Sequence, residues 1–418
     1  MKEMDKNLKN NIQNRLSRSV EETVEKLKSL PHRPSGMVYF DSLAQHLNDK
    51  NLMEAIKREG KKVIGTFCVF VPEEFIYAVG AVPLRLCAGT FDTIAPVEEF
   101  LPRDTCPIIK SSLGLIRFKL LPQYELLDMV VIPTTCDWKM KFGEILQDYL
   151  PVWTLNLPHQ KEVSSAKRFW KEELMSFIAK LESITGHRIN RRNLRDSIHL
   201  VHRAQTAFRR LYQLRRRENV PIWGSDAMLV MSLYFFADIH QWTDKMEKLV
   251  AELEGVESPV CSNGAPRIML CGSPIIWPNW KLPFIIESSG GIIVTDEFCS
   301  VSRIIYDPVQ MDEYTKKDLF NAVCERYLLP CTCPCFTPND DRKRRILQMV
   351  EDFAVEGVVY HVYKGCFIYD IELYGIEKAL NEKGIPMIRI ETDYNPEDVE
   401  QIRTRIEAFL EMLIARRS

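Results

Sequence analysis

Short apolar runs alternate with helical patterns along two stretches of the chain. The strand-like runs of the first stretch are KKVIGTF, VPLRLC and LLDMVVIPTTC. The strand-like runs of the second stretch are RIMLCGSP, GIIVTDEFC, VEGVVYHVYKGC and IPMIRIE. Segments such as PEEFIYAVGA and IIKSSLGLIRFKL repeat their apolar residues at helical spacing between these runs. Nearly continuous apolar strands joined by helices are typical of parallel sheets that are buried on both faces.

The pattern changes between the two stretches, where long helices occur with almost no strand signal. One of these helices is expected to stop at Gly186, and Asn190 is suited to cap the next one. The polar N-terminal segment predicts an exposed amphipathic helix. We therefore predict an α/β fold: two Rossmann-like (flavodoxin-like) parallel-sheet domains related by pseudo-symmetry, with a helical insertion and an N-terminal helix. The predicted boundaries are 1–60 for the N-terminal helical segment, 61–160 for the first α/β domain, 161–260 for the helical domain and 261–418 for the second α/β domain.

Composition and charge narrow the class of partners. The 55 Lys and Arg residues nearly balance the 57 Asp and Glu residues among 418 residues, so no overall basic surface for nucleic acid or anionic membrane is expected. An arginine-rich segment at 191–217 is interrupted by acidic residues and is interpreted as a solvated or interdomain face. The N-terminus is too polar for a secretory signal, and no run of 18 apolar residues lacks a charge. We predict a cytoplasmic protein.

Twelve cysteines are many for a compartment that keeps thiols reduced, so their role is expected to differ from disulfide bonding. The segment RYLLPCTCPCFTPNDDR places Cys331, Cys333 and Cys335 within five residues. Zinc ribbons and bacterial ferredoxins use C-x₂-C pairs, which this sequence lacks. The spacing favours an iron–sulfur site whose ligands are scattered along the chain. Zinc and incidental buried thiols stay open as alternatives.

The cysteines form a rough repeat in the two α/β halves. Neighbouring members lie 38 and 30 residues apart in the first half, and 34 and 33 residues apart in the second. The outer members follow strand-like runs, and the carboxyl ends of parallel strands line the crevice where ligands bind. We therefore expect two sets of three thiols to face one cleft. The two sets are Cys68, Cys106 and Cys136, and Cys299, Cys333 and Cys366.

Several segments together point to one family. The segments are CVFVPEEFIYAVGAVPLRL, DTCPIIKSSLG, VIPTTCD, GGIIVTDEFCSVSR, RYLLPC, TPNDDR and RTRIEAFLEM. In this order and spacing they resemble the signature segments of the 2-hydroxyacyl-CoA dehydratase and benzoyl-CoA reductase family, from about residue 61 to the C-terminus. Within the family, the chain most resembles the double-cubane cluster proteins of anaerobic bacteria.

The resemblance implies a cofactor and its ligands. Six cysteines would hold two [4Fe-4S] cubanes that share one bridging sulfide, an [8Fe-9S] cluster. The implied iron ligands are Cys68, Cys106 and Cys136 for one cubane, and Cys299, Cys333 and Cys366 for the other. Cys331 or Cys335 is the alternative to Cys333, and Cys271 is the alternative to Cys299. A single [4Fe-4S] cluster, as in the dehydratase subunits, is the alternative cofactor.

The resemblance also implies a partner and an activity. The partner is a separate [4Fe-4S] reductase, a homodimeric ATPase of the actin and sugar-kinase type, which delivers low-potential electrons when it hydrolyses ATP. This chain has no G-x-x-x-x-G-K-[ST] phosphate loop, so ATP is expected on the partner. The implied function is ATP-coupled reduction of small molecules such as acetylene, azide or hydrazine by a homodimer. The alternative is a subunit of a 2-hydroxyacyl-CoA dehydratase with one cubane.

Reduction consumes protons, so acids are expected close to the cluster. His361, Tyr363 and Lys364 precede Cys366 and are candidate proton donors, and Glu73 is a fourth candidate. His361 and Tyr363 share one face of the predicted strand and equally fit ordinary packing. Glu73 opens a helix, where the helix dipole alone favours a carboxylate.

Overall fold

Two parallel sheets with the same strand order organise the molecule. The computed structural model describes residues 6–46, 56, 58–261, 264–311 and 313–417. The strands of the first sheet are β1 (Val63–Thr66), β2 (Val82–Arg85), β3 (Met129–Pro133) and β4 (Val152–Leu155), in the order β2-β1-β3-β4. The strands of the second sheet are β5 (Arg267–Gly272), β6 (Ile292–Asp296), β7 (Gly357–Tyr363) and β8 (Met387–Thr392), in the order β6-β5-β7-β8. The matching orders confirm two flavodoxin-like sheets related by pseudo-symmetry.

Helices of the first half begin with an amphipathic N-terminal helix. The helices are α1 (Lys6–Lys28), α2 (Met37–Gln45), α3 (Glu73–Ala78), α4 (Pro107–Arg117) and α5 (Asp137–Leu146). The amphipathic pattern of α1 is confirmed, but its apolar side is not exposed: Val24 and Leu27 are fully buried against the core. The segment therefore belongs to the folded body. No described helix is both long and apolar enough to cross a membrane.

Four long helices separate the sheets, as the sequence predicts. They are α6 (Ser164–Thr185), α7 (Arg191–Leu214), α8 (Gly224–Tyr234) and α9 (Ile239–Glu254). Gly186 ends α6 in the left-handed conformation, and the Asn190 side chain caps α7, so both predicted boundaries are confirmed. The arginine-rich face of α7 pairs within the chain: Arg203 binds two carboxylates of α9, and the buried Arg215 donates to a carbonyl of β6.

Helices of the second half are α10 (Lys281–Ser288), α11 (Lys316–Leu328), α12 (Asp340–Asp352), α13 (Phe367–Glu382) and α14 (Val399–Ala415).

The pattern of apolar residues did not predict β4, a four-residue strand at the edge of the first sheet with three partly or fully exposed residues. A strand without a buried face carries no strong hydrophobic signal.

The two halves approach each other closely at two glycines. A Cβ atom on Gly89 would lie 1.9 Å from the Ile276 carbonyl oxygen, and one on Gly365 would lie 2.0 Å from the Asp104 carbonyl oxygen. Only a residue without a side chain permits these contacts between backbones. Buried residues of both sheets and of α6 to α9 also belong to one continuous apolar core, and the domain boundaries stay predictions.

Candidate functional site

Cysteines follow four of the buried strands at the sheet ends that face each other. Cys68 comes after β1, and Cys136 comes after β3, where it is the N-cap of α5. In the second half, Cys299 comes after β6, and Cys366 comes after β7 and is the N-cap of α13. A fifth thiol, Cys106, is the N-cap of α4. The carboxyl ends of parallel strands thus deliver thiols to one crevice, as expected.

The order of the strands shows that one pair of cysteines was matched wrongly between the two halves of the sequence. The repeat matched Cys68 with Cys299, but β1 is the counterpart of β5, whereas Cys299 follows β6, the counterpart of β2. The first-half residue that follows β2 in the same way is Cys87. Spacing along the chain therefore identified the thiols that the fold gathers, but did not give their symmetry.

Thiols of the two halves contact each other in pairs. A hydrogen bond from the Cys299 thiol lowers the pKa of Cys68, and the same contact raises the pKa of Cys299. A hydrogen bond with Cys106 similarly lowers the pKa of Cys366 to about 7. Each pair joins one half to the other, so the site belongs to both sheets. Burial raises the pKa of Cys136, and the charges of Cys366 and Cys333 raise it further.

The segment with three cysteines faces the same site. A hydrogen bond from the Cys335 thiol lowers the pKa of Cys333, and burial raises the pKa of Cys331 to about 12. The charge of Cys68 acts on all three of these thiols. Cys333 is the member whose charge also acts on Cys136. The structure thus brings together all six cysteines expected from the sequence, with Cys331 and Cys335 beside them.

Polar side chains from several elements hold the backbone of this segment. Lys161 donates to the Cys331 carbonyl at 2.8 Å, and Asn339 donates to the Cys333 carbonyl at 3.0 Å. The His159 ring nitrogen Nδ1 contacts the Cys335 carbonyl oxygen at 3.1 Å. Lys161 and His159 belong to the loop after β4, in the first half of the chain. Both halves therefore fix the position of the segment.

A buried ionic network lies behind the segment. Glu297 forms ion pairs at 2.7 Å with Arg303 and Arg342, and it accepts a hydrogen bond from Thr332 at 2.9 Å. Cys271, the alternative to Cys299, lies against this network, with its sulfur 3.8 Å from Arg342. Burial raises the pKa of Cys271, and the charged groups that act on it are Arg342 and other side chains of the network. The contacts thus place Cys299, and not Cys271, against another candidate ligand.

Two of the four candidate proton donors lie on β7. His361 is buried, its Nδ1 contacts the Ser273 carbonyl oxygen at 2.8 Å, and burial lowers its pKa to about 4. Tyr363 packs edge-on against the His361 ring, with 4.4 Å between the ring centroids. Burial raises the pKa of Tyr363, and the charges of Cys106 and Cys366 raise it further. The phenol of Tyr363 is thus close to two candidate ligands.

The other two candidates lie elsewhere. Lys364 is exposed and forms an ion pair with Asp393 at 3.0 Å. Glu73 is buried, and its Oε2 accepts a hydrogen bond from Tyr234 at 2.7 Å. Burial raises the pKa of Glu73, whereas the nearby charge of Arg85 lowers it. Arg85 also lines a cavity beside Cys68, so the Arg85 side chain lies between Glu73 and the thiols.

Sequence reasoning missed the cations of the site. Burial lowers the pKa of Lys139, but the charges of Cys68 and Cys136 offset this effect and raise the pKa overall. Arg303 carries its guanidinium close to Cys299 and Cys333. Lys139 comes three residues after Cys136 and therefore lies in the first turn of α5. That short spacing from a candidate ligand was the available signal.

The described residues contain no group of three or more His, Cys, Asp or Glu side chains arranged around a single metal ion. This finding concerns sites for one ion. In an iron–sulfur cubane, thiolates bind separate irons and need not converge on one point. The donor set is made of thiols, three of which are helix N-caps, where the dipole favours thiolates. These residues fit an iron–sulfur cluster.

Comparison with known proteins assigns the chain to a class. The family model described as "2-hydroxyglutaryl-CoA dehydratase, D-component" matches residues 68–413, and the chain therefore belongs to this family. It is 34% identical over 361 residues to the "Putative dehydratase subunit YjiM" of Escherichia coli (strain K12), covering 86% of this chain and 93% of the relative.

More distant relatives carry explicit names. The chain is 25% identical to "(R)-2-hydroxyglutaryl-CoA dehydratase, subunit beta" of Acidaminococcus fermentans, covering 87% of this chain and 96% of the relative. It is 23% identical to a benzoyl-CoA reductase subunit of Thauera aromatica, covering 84% of this chain and 91% of the relative. The sequence resemblance to this family is thus confirmed, and these relatives are subunits of multi-subunit enzymes.

Proposed function

We propose that the chain is an ATP-coupled, low-potential oxidoreductase that reduces small molecules of the acetylene, azide or hydrazine type at an [8Fe-9S] double cubane. The observation that carries the proposal is the pairing of thiols across the halves, Cys68 with Cys299 and Cys106 with Cys366. One site that needs both halves of one chain suits a cofactor with two sets of three thiolate ligands. The proposed iron ligands are Cys68, Cys106, Cys136, Cys299, Cys333 and Cys366.

The choice of Cys333 over Cys331 and Cys335 rests on its interaction with another candidate ligand. Cys331 and Cys335 lie in the same segment, but the charge of Cys333 is the one that raises the pKa of Cys136. When bound, the cluster supplies single electrons at low potential. The chain itself would hold the cluster, offset its negative charge with Lys139 and Arg303, and provide protons.

Among the candidate proton donors, position supports Tyr363. Its phenol is buried close to Cys106 and Cys366. The burial of His361 instead favours the neutral imidazole, which lacks the more acidic imidazolium proton at neutral pH. Glu73 is the second candidate, because Arg85, whose charge acts on the Glu73 carboxylate, also lines the cavity beside Cys68. Lys364 is the weakest, since its exposed amine pairs with Asp393.

The proposed partner is a separate [4Fe-4S] ATPase of the actin and sugar-kinase type. Support comes from two directions: the relatives are named as subunits, and the sequence lacks a phosphate loop of its own. We further propose a cytoplasmic homodimer from an anaerobic metabolism.

A second function has its own support. The relatives named as dehydratase subunits match the chain over most of their length, which favours a 2-hydroxyacyl-CoA dehydratase subunit that holds one [4Fe-4S] cluster. In that case, three of the thiols would suffice, and the cross-half pairs would serve packing.

Metal analysis separates the two functions. Chain purified without oxygen should contain about eight irons and nine sulfides if it holds the double cubane, and about four of each if it holds one cubane. With the ATPase and ATP, it should then convert acetylene to ethylene. A chain with four irons that dehydrates a 2-hydroxyacyl-CoA and leaves acetylene unchanged would contradict the proposal.

A further inference from the structure

Two adjacent buried carboxyl groups, those of Glu73 and Glu74, lie at the start of α3. Their residues are only 4% and 1% exposed, and neither carboxyl group forms an ion pair with any residue that the structure describes. The Glu74 Oε2 atom also lacks a hydrogen-bond donor among the described residues. A carboxylate that is buried without such partners tends to take up a proton, because the neutral acid loses far less solvation free energy. The surroundings therefore favour at least one protonated carboxyl group in this pair.

Two cations act on the pair from other elements without forming ion pairs with it. Arg85 lies at the end of β2 and Arg326 lies on α11. The Arg85 guanidinium carbon is 4.1 Å from the centroid of the Phe235 ring, and Arg326 donates to two backbone carbonyls of the loop after β6. Burial raises the pKa of Glu73 and of Glu74, and the charges of these arginines offset only part of the rise.

Two buried tyrosine hydroxyls join the pair into a network. Tyr234 donates to Glu73 Oε2 at 2.7 Å, and the Tyr327 hydroxyl accepts a hydrogen bond from the Glu73 N–H at 3.3 Å. The Tyr327 proton is thus left for another acceptor. Burial raises the pKa of Tyr327, and Glu74 is the residue whose charge raises it most. The remaining titratable neighbour of both carboxyl groups is Tyr77, on α3 itself.

The network connects the thiol site with the surface. At one end, Arg85 lines the cavity beside Cys68. At the other end, Arg326 lines a surface cleft of about 520 Å³, whose lining also includes the acidic side chains of Asp307, Glu313 and Asp318. Water and carboxylates in this cleft exchange protons freely with solvent. A route for protons from solvent towards the thiols therefore passes through the pair.

Reduction of acetylene to ethylene takes up two protons with two electrons, so the proposed reaction needs a supply of protons in the interior. We propose that Glu73 and Glu74 form a buried proton store, which holds a proton at neutral pH and passes it towards the thiols during reduction. In each transfer Glu74 gives its proton to the tyrosine hydroxyls and becomes a carboxylate, Glu73 receives one and becomes the acid, and water in the cleft restores the proton of Glu74. The inference deepens the proposed function, and rests on it only for the use of the protons.

Infrared spectroscopy tests the store without turnover. A protonated carboxyl group has a C=O stretching band of its own, which shifts in D₂O, and a carboxylate lacks this band. Anaerobically purified holoprotein at about pH 7 should show the band, and Glu73→Gln or Glu74→Gln should weaken it. Glu254→Gln is the control, because this exposed carboxylate pairs with Arg210 at 2.6 Å and should contribute nothing to the band. A band of equal strength in the wild type, Glu73→Gln and Glu74→Gln would overturn the inference.

Turnover shows whether the stored proton is used. With the ATPase and ATP, Glu74→Gln should lower kcat for acetylene at least ~10-fold and leave KM and iron content unchanged, because proton supply becomes the slow step. The solvent isotope effect on kcat should increase for the same reason, and Glu74→Asp, which restores a carboxyl group, should recover part of the rate.

A second variant avoids dependence on one substitution. Tyr327→Phe removes a hydroxyl of the network and should also lower kcat. Tyr360→Phe is the matched control, because Tyr360 is equally buried but donates to the Tyr369 carbonyl at 2.9 Å, outside the network. Equal kcat values in Tyr327→Phe, Tyr360→Phe and the wild type would show that the tyrosine carries no protons.

The two measurements separate this inference from the proposed function. If the infrared band depends on Glu73 or Glu74 but the wild type reduces no acetylene, the store stands and the proposed function fails. If Glu74→Gln reduces acetylene at the wild-type rate, the store does not supply the reaction and the proposed function stands.

Discussion

At the scale of single residues, one candidate ligand adopts a conformation that needs support from its surroundings. Cys68 has a φ of 66°, a left-handed conformation that costs a residue with a side chain about 1–3 kcal/mol. Such residues persist where the surrounding structure holds them, and they cluster at functional sites. Here the contact with Cys299 and the apolar neighbours of β1 supply that support.

The first prediction concerns the ligands themselves. Replacing Cys106 or Cys136 with Ala should lower the iron content per chain and abolish acetylene reduction, because each change removes a proposed ligand. Cys324→Ala is the control, since this buried thiol lies in α11 and no other cysteine is among the groups that shift its pKa. Full iron content in both ligand variants would show that the ligand assignment is wrong.

The second prediction concerns the pH dependence of stability. Burial lowers the pKa of His361 to about 4 from an ordinary value of 6.5. Between these values the unfolded chain binds a proton that the folded chain does not, so stability falls as pH drops from 6.5 to 4. This single group contributes at most about 3 kcal/mol to the loss.

Thermal unfolding from about pH 7.5 to about pH 4.5 tests this prediction. His361→Gln should lose less stability over that range than the wild type, whereas the same change at the exposed His240 should leave the slope unaltered. Parallel curves for wild type and His361→Gln would mean that folding does not lower the pKa of His361.

At the scale of elements, two connections between strand and helix set the distance between the halves. The turn after β7 carries Gly365 and Cys366, and it packs on the backbone before α4. Trp138 of α5 donates to the Gly365 carbonyl at 2.8 Å, which joins a third element to the turn. Three helices that begin at candidate ligands therefore meet at one glycine.

The third prediction follows from that contact. Gly365 has a φ of 79°, and a Cβ atom there would lie 2.0 Å from the Asp104 carbonyl oxygen, so Gly365→Ala must separate Cys366 from Cys106. We expect a marked loss of bound iron and of stability. Gly384 is the matched control: its φ is 67°, and nothing lies within 4 Å of the added Cβ atom.

The two alanine variants are compared by iron content and thermal midpoint. Gly384→Ala should cost only the left-handed conformation, about 1–2 kcal/mol, and keep its iron. Similar losses in both variants would show that backbone strain, and not the contact between the halves, accounts for the effect at Gly365.

At the scale of the whole molecule, a buried ion pair ties the N-terminal segment to the helical region. Arg33 forms two hydrogen bonds with Asp41 and two with Asp226, at 2.7–2.9 Å, and its side chain is 10% exposed. Asp226 lies in α8, whose other residues pack against the second sheet. The segment before β1 thus helps to hold the distant parts together.

The fourth prediction tests this connection. Arg33→Met leaves two buried carboxylates without their partner and should lower the free energy of unfolding by about 3–5 kcal/mol. Arg203→Met is the control, because the Arg203 side chain is 47% exposed and pairs with Asp244 and Glu247 on the surface, where water screens the charges and such pairs contribute little to stability. Denaturant titrations that give equal losses would contradict the distinction.

Local sequence was enough to establish the α/β class, the caps at Gly186 and Asn190, and the set of cysteines that meet in the site. Periodicity and capping are local properties, and cysteines at the ends of parallel strands are expected to share one edge of the sheet. The packing of the two halves was needed to show that Cys299 contacts Cys68 while Cys271 joins an ionic network. It was needed equally to show that Tyr234 and Tyr327 lie beside the buried Glu73. Those relations join residues far apart in the chain, and they depend on how the two sheets face each other, which no local pattern encodes.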